Sequence, residues 1–257
     1  MDQSSSYYGE FPIDCYVMKH WDFDQPVETD AEQWKSLVRA YLDLNRRERV
    51  AYHLETNEYM NRDKQPPAEV IARCLAPFQT VQEREVFCNE SPSMGPRVVR
   101  TYYGEDLEES YKAMLGIDVP DLTEFNNRSL YEGLDIEEII LRMPQLPDQP
   151  QMSVVEDVDY YEELDGGTSP PYEELVECSI QKASRDAETV LFVADMEAMQ
   201  EQLLKIKWID YGGRCVWESR IQPDNVRGFE GLHSQGFSLH EFHSEDSVSG
   251  DVIMEGC

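Results

Sequence analysis

Three histidines near the end of the chain, His233, His240 and His243, are the first residues whose types and spacing suit chemistry, with Glu241 and Asp246 beside them. Imidazole and carboxylate groups are common metal ligands, and His240 and His243 would share one face of a helix. Neither the HExxH spacing nor a fourth ligand accompanies them. We therefore interpret them as part of a surface segment and predict no metal site.

A second acidic pattern, Asp157, Asp159 and Glu162, is similar to the opening of a calcium-binding loop. Such a loop has glycine at its sixth position and glutamate at its twelfth. Here Glu162 stands at the sixth position and Thr168 at the twelfth. We predict that this segment does not bind calcium.

Motifs that bind a cofactor or activate a nucleophile are absent from the sequence. It has no phosphate-binding glycine loop, no dinucleotide fingerprint, no GxSxG and no kinase signature. The six cysteines form no CxxC pair, which argues against a zinc or redox site. We therefore expect no cofactor, and we favour a non-enzymatic role over an enzymatic one.

The charge balance excludes several classes of partner. The 257 residues include 52 acidic and 22 basic side chains, a formal net charge of −30. Such a chain has no general basic surface for nucleic acid or anionic lipid. Its charge favours a basic protein partner, or it serves solubility alone. Neither a signal peptide nor a long apolar run is present. We expect no membrane association, and an intracellular location in the cytoplasm or nucleus, without secretion.

The clearest structural signal is a β-hairpin around Gly212 and Gly213. If these glycines are the two central residues of a type I′ or II′ turn, Trp208 faces Trp217 and Lys207 faces Glu218. One face then carries both tryptophans, which we interpret as core. The other face is basic, and we predict it as a candidate interaction face formed by Lys205, Lys207, Arg214 and Arg220.

The elements before the hairpin also follow from local patterns. The apolar run 190–194 predicts a buried strand, and Asp195 is a suitable N-cap for a short helix after it. Residues 144–169 contain several prolines, no lysine or arginine and many carboxylates, which is typical of a disordered linker or loop. We hypothesise that this acidic segment lies over the basic face of the hairpin, or that it competes with an external acidic ligand for that face.

The N-terminal part is predicted to be mainly helical. A capping-box pattern at Thr29 and Glu32 begins an amphipathic helix. The patterns at Glu85–Cys88 and Arg97–Tyr103 predict two strands of a second small sheet, and a short strand is expected around Cys15–Met18.

These elements together predict an α+β fold, in which a C-terminal strand, helix and hairpin pack against amphipathic helices. We predict an N-terminal region 1–143, an acidic linker 144–169, a hairpin unit 170–232 and a polar tail 233–257.

The function class that fits these observations is an intracellular, non-enzymatic, acidic interaction or regulatory protein. One alternative is an enzyme whose site is assembled from dispersed residues near the 204–221 hairpin. Another is an acidic protein that mimics nucleic acid and thereby binds a basic partner. A filled core under the tryptophans favours the interaction protein, whereas a deep pocket with converging histidine, cysteine or carboxylate groups favours the enzyme.

Overall fold

A computed structural model describes most of the chain outside its acidic and terminal segments. The described residues are 8–59, 66–87, 95–116, 122–148, 186–233, 239, 242 and 253–255. The chain divides into two compact units. Unit 1 contains Met1–Ser91 and Ile140–Ser169, and unit 2 contains Pro92–Ile139 and Pro170–Cys257.

Unit 1 is helical in its described residues. Its first helices are α1 (Pro12–His20), α2 (Asp30–Leu42), α3 (Arg46–Tyr59), α4 (Ala68–Cys74) and α5 (Val81–Glu85), with a 3-10 turn at Val27–Thr29. Trp34 of α2 stacks on Phe78, with ring centroids 5.2 Å apart, and its indole nitrogen donates to the Leu141 carbonyl at 3.0 Å. These contacts join α2 to the returning segment after residue 140.

Two strands predicted in this region, Cys15–Met18 and Glu85–Cys88, are not strands in their described residues, and Cys88 lies outside those residues. Pro12 occupies the first turn of α1, where its missing N–H is not needed, and the Asp14 carboxylate accepts from the amides of Gly9 and Phe11. Cys15–Met18 therefore lies within a helix. Likewise Glu85 ends α5, and the turn at 86–87 follows it.

The capping boxes also differ from the prediction. At α2, the Thr29 hydroxyl donates to the Pro26 carbonyl at 2.7 Å and does not cap the helix. A capping box lies instead at the start of α5, where the Glu83 amide donates to the Thr80 hydroxyl at 3.2 Å and the Glu83 carboxylate accepts from the Thr80 amide at 2.5 Å.

The first residues of the predicted acidic linker are packed rather than disordered. Leu146 is fully buried, and the Gln145 amide donates to the Glu83 carbonyl at 2.7 Å. The Asp148 carboxylate is buried, where it accepts from the Tyr41 hydroxyl and lies 3.1 Å from the His53 ring nitrogen. The remainder of the predicted linker, 149–169, lies outside the described residues, as do Asp157, Asp159 and Glu162.

Unit 2 is built on one mixed sheet. Its strands are β1 (Arg97–Arg100), β2 (Thr123–Phe125), β3 (Ala187–Ala194), β4 (Leu204–Asp210), β5 (Cys215–Ile221) and β6 (Ile253–Glu255). The spatial order is β2-β1-β3-β4-β5-β6. Strand β1 is parallel to both β2 and β3, whereas the other neighbours are antiparallel.

Helices lie between and after these strands along the chain. They are α6 (Glu108–Leu115), α7 (Arg128–Tyr131), α8 (Ile136–Arg142), α9 (Met196–Glu201) and α10 (Val226–His233), with 3-10 turns at Glu105–Leu107 and Pro223–Asn225. The boundary between the two units falls within α8. No helix in the described ranges is long and apolar enough to cross a membrane.

The α+β class is confirmed, but the strand predicted from Arg97 does not belong to a second small sheet. Val98 and Val99 point to opposite faces of β1 and are both fully buried. A strand covered on both faces is typical of a sheet interior, and β1 indeed lies between β2 and β3. Residues 92–139 therefore cluster with the hairpin. The predicted division at 143, 169 and 232 stays a prediction.

The hairpin has the predicted register over most of its length. Trp208 pairs with Trp217 and Lys207 with Glu218. The turn is longer than predicted, because Asp210 and Arg214 close it and Ile209 pairs with Cys215 through a bulge. A three-residue loop with a left-handed glycine before a bulge explains this, and Gly213 has φ +78.

The core of unit 2 lies under Trp208. Its side chain is 1% exposed, its indole nitrogen donates to the Ser219 hydroxyl at 2.9 Å, and its ring lies 5.6 Å from Phe229 and 5.9 Å from Phe242. Trp217 is partly buried against the same cluster. Trp208 is therefore a packing residue, as predicted.

Candidate functional site

The predicted interaction face lies on β4 and β5 beside α9. Lys205 and Arg220 are cross-strand partners, and Lys207 lies opposite Glu218. Arg214 is at the turn, where its side chain is 82% exposed. The structure thus brings three of the four predicted residues together and places the fourth at the end of the hairpin.

Helix α9 supplies carboxylates to this face. The Asp195 side chain accepts from the Ala198 amide at 2.9 Å and so fixes the start of the helix. Glu197 and Glu201 are four residues apart and therefore lie on the same side of α9. The helix position follows from the strand–helix–strand order that the sequence predicts.

Each basic residue of the face is bound by a carboxylate of unit 2. Lys205 lies 2.8 Å from Asp195 and 2.5 Å from Glu197. Arg220 lies 3.0 Å from both Glu197 and Glu201. Two further pairs complete the face: Lys207 with Glu218, and Arg214 with Asp210 at 3.1 Å.

The ion pairs keep the central groups charged. Burial lowers the pKa of Lys205, but its hydrogen bonds to Asp195 and Glu197 outweigh burial and raise the pKa above its ordinary value. The hydrogen bond from Lys205 holds the pKa of Glu197 below its usual value, with Arg220 adding to the effect. The positive charge of the interaction face is thus neutralised by carboxylates of unit 2. The hypothesis that residues 144–169 cover it stays a prediction.

The predicted histidine cluster is described only at His233. This side chain lies on α10, where its ring stacks on Phe229 at 5.8 Å and meets the edge of Trp208 at 5.8 Å. Burial lowers the pKa of His233. His240, His243, Glu241 and Asp246 lie outside the described residues, and the described part of the chain contains no group of three metal-binding side chains.

A cavity that no sequence pattern indicated lies at the carboxyl ends of β1 and β2. Its volume is about 440 Å³. Its lining comes from the end of β1, from the connection into α6, from the first turn of α6 and from the helix after β2: Arg100, Tyr103, Glu105, Glu108, Glu109 and Arg128. In sheets with parallel strands, the loops at the carboxyl ends of the strands are the usual place for ligands.

Arg100 forms the buried base of this cavity. Its side chain is 4% exposed, and its guanidinium lies over the rings of Tyr111 and Tyr103, with its central carbon 4.0 and 4.5 Å from the ring centroids. Its Nε donates to the Tyr102 carbonyl at 2.8 Å, and Nη2 donates to Glu108 at 2.6 Å. Within the described residues, Nη1 has no acceptor.

The backbone beside Arg100 is fixed by neighbouring strands and turns. The Thr101 amide donates to the Ala194 carbonyl at 3.1 Å, and the Thr101 carbonyl accepts from the Gly133 amide at 2.8 Å. The loop after β1 is therefore held by the end of β3 and by the turn after α7. This positions Arg100 and Tyr103 without using the side chains that line the cavity.

The Tyr103 hydroxyl is buried and has no hydrogen-bond partner in the described part of the chain. Burial raises its pKa to about 12, so the hydroxyl is protonated and available as a donor at neutral pH. The neighbouring Tyr111 differs, because its hydroxyl donates to Glu124 at 2.5 Å. Tyr103 is thus the tyrosine of this pair whose polar group remains unsatisfied.

The rim of the cavity is mixed in charge. Glu109 is 89% exposed in its side chain and lies 2.9 Å from Lys112, whereas Arg128 is bound by Glu132 at 2.7 Å. The hydrogen bond from Arg100 lowers the pKa of Glu108, so this carboxylate is ionised at neutral pH. The cavity therefore has the Arg100 guanidinium at its bottom and carboxylates at its rim.

Part of this site had a signal in the sequence. Arg100 ends a short β-branched run, two tyrosines follow it, and Glu105, Glu108 and Glu109 come within the next nine residues. The strand was predicted to continue to Tyr103, but it ends at Arg100. That difference places the two tyrosines in the loop and changes which side chains can line a cavity.

Comparisons of the chain with protein families, with curated proteins and with solved structures found no match.

Proposed function

We propose that this chain is an intracellular, non-enzymatic interaction or regulatory protein that binds a basic partner protein. The observation that carries the proposal is the ion-paired hairpin face. Five carboxylates surround its four cations, so the face offers negative rather than positive charge to a partner. The overall charge of −30 acts in the same direction.

The part of this face best suited to contact a partner is α9. The side chains of Glu197 and Glu201 are 46% and 41% exposed although both bind Arg220. Met196 beside them is 48% exposed, and a flexible, polarisable side chain of this kind is common at binding surfaces. Lysine or arginine side chains of a partner would exchange with Arg220 for the two glutamates.

Such binding depends on salt, because exposed charge pairs are screened over about 8 Å at physiological ionic strength. Electrostatic attraction of this kind increases the association rate more than the affinity, which suits a reversible regulatory contact. The filled core under Trp208 supports this class over an enzyme with a groove beside the tryptophans.

The test is capture of proteins from the native cell on the immobilised chain, with identification of those that elute at rising salt. Two double variants are compared. The α9 variant carries Glu197→Gln with Glu201→Gln, and the unit 1 variant carries Glu28→Gln with Glu32→Gln, which removes the same charge from exposed positions in unit 1. We expect a basic protein that the chain and the unit 1 variant retain, and that the α9 variant releases at lower salt.

Other results redirect the proposal. If both double variants release the captured protein at the same lowered salt concentration, net charge alone attracts the partner and α9 has no specific role. Recovery of no stable partner would favour the enzyme with dispersed residues near the 204–221 hairpin. Displacement of the captured protein by duplex DNA would favour mimicry of nucleic acid.

A further inference from the structure

We propose that the cavity at the carboxyl ends of β1 and β2 binds a small zwitterion of the amino-acid class, as a free amino acid or as the end of a short peptide. Its carboxylate would lie on Arg100 and Tyr103, and its ammonium groups would lie at Glu105 and Glu109. This site is separate from the α9 face and does not depend on the function proposed above.

The base of the cavity provides the anion-binding groups. Arg100 is 4% exposed in its side chain and lines the cavity, and its Nη1 has no acceptor among the described residues. A buried guanidinium with unused donors is a strong site for a carboxylate, because charge-assisted hydrogen bonds gain strength where water is excluded.

Tyr103 lines the same cavity and carries a second donor, its hydroxyl. Its ring lies against Arg100, with the guanidinium carbon 4.5 Å from the ring centroid, and its hydroxyl is buried without a partner in the described residues. An unpaired buried polar group destabilises the folded protein until it finds a partner. A ligand carboxylate would accept from Tyr103 and Arg100 together.

The rim excludes a simple anion. Glu105, Glu108 and Glu109 line the same cavity, and Glu108 already neutralises part of the Arg100 charge. A phosphate or a dicarboxylate would meet three carboxylates near its second charge. A molecule with a carboxylate at one end and ammonium groups at the other matches the base and the rim at the same time.

The dimensions of the cavity also suit this class. A volume of about 440 Å³ lies within the range of roughly 300–1,000 Å³ typical of small-molecule sites. It accommodates one amino acid with a long side chain or a dipeptide. It is formed by loops on a rigid sheet edge, since Thr101 is hydrogen-bonded to both Ala194 and Gly133.

The experiment is a calorimetric titration of the full chain with three matched probes. L-lysine carries both charges, cadaverine is the same molecule without its carboxylate, and hexanoate has a carboxylate without ammonium groups. We expect L-lysine to bind at least about tenfold more tightly than either of the others. Glycyl-lysine, titrated in parallel, distinguishes a peptide end from a free amino acid, and tighter binding of either keeps the assignment.

Two variants test the two ends of the site. Tyr103→Phe removes an unpaired buried hydroxyl, so the protein should remain at least as stable while L-lysine binds about tenfold more weakly. Glu105→Gln with Glu109→Gln, at exposed positions, should weaken the binding of L-lysine and cadaverine but not that of hexanoate.

The matched controls are Tyr102→Phe and Glu137→Gln on α8. The Tyr102 hydroxyl binds Asp106 at 3.1 Å, and Tyr102 does not line the cavity. Both should bind like the parent.

Three results would overturn the proposal. The first is that no probe binds more tightly than about 10 mM. The second is that cadaverine or hexanoate binds as tightly as L-lysine. The third is that Tyr103→Phe and Tyr102→Phe bind L-lysine equally well.

Discussion

The two units use buried polar groups in different ways. In unit 1 the buried Asp14 and Arg84 form an ion pair, and buried Glu83 binds Arg142 through both carboxylate oxygens at 2.7 and 3.0 Å. In unit 2 burial lowers the pKa of Arg97 to about 10, which shows how strongly its charge is desolvated. The first arrangement places opposite charges in direct contact, whereas in the second the effect of burial on the pKa exceeds that of the opposing Glu230 charge.

The unit 1 network joins segments distant in the sequence, because Gln79 binds Arg84 at 2.6 Å and also donates to Gln145 at 2.8 Å and to the Arg142 carbonyl. Complete networks of this kind specify one packing. In unit 2 the Tyr103 hydroxyl is buried without a partner in the described residues, and Tyr103 is one of the residues that line the cavity. We therefore place the proposed ligand site at the unpaired donors of unit 2 and not at the completed network of unit 1.

The largest expected effect is the loss of one partner of the unit 1 pair. Asp14→Ala leaves the Arg84 guanidinium buried without its carboxylate, and both side chains are fully buried. Removal of one partner from such a pair costs about 3–5 kcal/mol of unfolding free energy. Chemical denaturation of the full chain, with hydrogen exchange to assign the transition to unit 1, measures the loss.

The matched control is the double variant Asp14→Leu with Arg84→Met. It removes both charges and keeps apolar volume, so it should be clearly more stable than Asp14→Ala. If Asp14→Ala lowers the free energy of unfolding by less than about 1 kcal/mol, the pair is not the compensated network described above.

The second effect concerns pH in unit 2. Burial raises the pKa of Glu230 from 4.5 to about 7, although Arg97 opposes the shift. The folded protein thus keeps a proton that the unfolded chain releases, so this group stabilises the fold below about pH 4.5 and loses its contribution as pH rises to about 7. The slope is at most about 1.4 kcal/mol per pH unit.

The variant Glu230→Gln should remove this slope. We expect its stability relative to the parent to increase between about pH 4.5 and 7 and to be constant outside that interval. His233 acts in the opposite direction, since burial lowers its pKa and favours the neutral ring as pH rises. Comparison of the variant with the parent at each pH cancels that contribution. A difference that does not change with pH would contradict the assignment.

The sequence predicts the parts of this fold that depend on neighbours along the chain. The Trp208–Trp217 pairing and the Asp195 cap follow from a turn and from strand–helix order within a few residues. Helix α5 also had such a signal, because Thr80 and Glu83 form a capping box, but the β-branched and aromatic residues after Glu85 favoured a strand.

Contacts between distant residues were not predictable from the same patterns. Asp148 was placed in an acidic linker because its neighbours are prolines and acids. It is buried because Tyr41, which precedes it by 107 residues, donates to its carboxylate. The cavity around Arg100 is similar, since its lining comes from the connections after two strands. Local composition carries no information about such partners.

The smallest expected effect comes from the hairpin face, where water still reaches the charges. Lys207 and Glu218 are each 19% exposed in their side chains and lie opposite each other on β4 and β5. Lys207→Gln should cost about 0.5–1 kcal/mol of unfolding free energy and less at high salt, because partial exposure screens the pair. The control is Arg128→Ala, whose ion pair with Glu132 is far more exposed, and whose denaturation midpoint should not change measurably. If Lys207→Gln lowers the free energy of unfolding as much as Asp14→Ala does, the surface ion pairs of unit 2 stabilise the fold as strongly as the buried pair of unit 1. The contrast between the two units would then be lost.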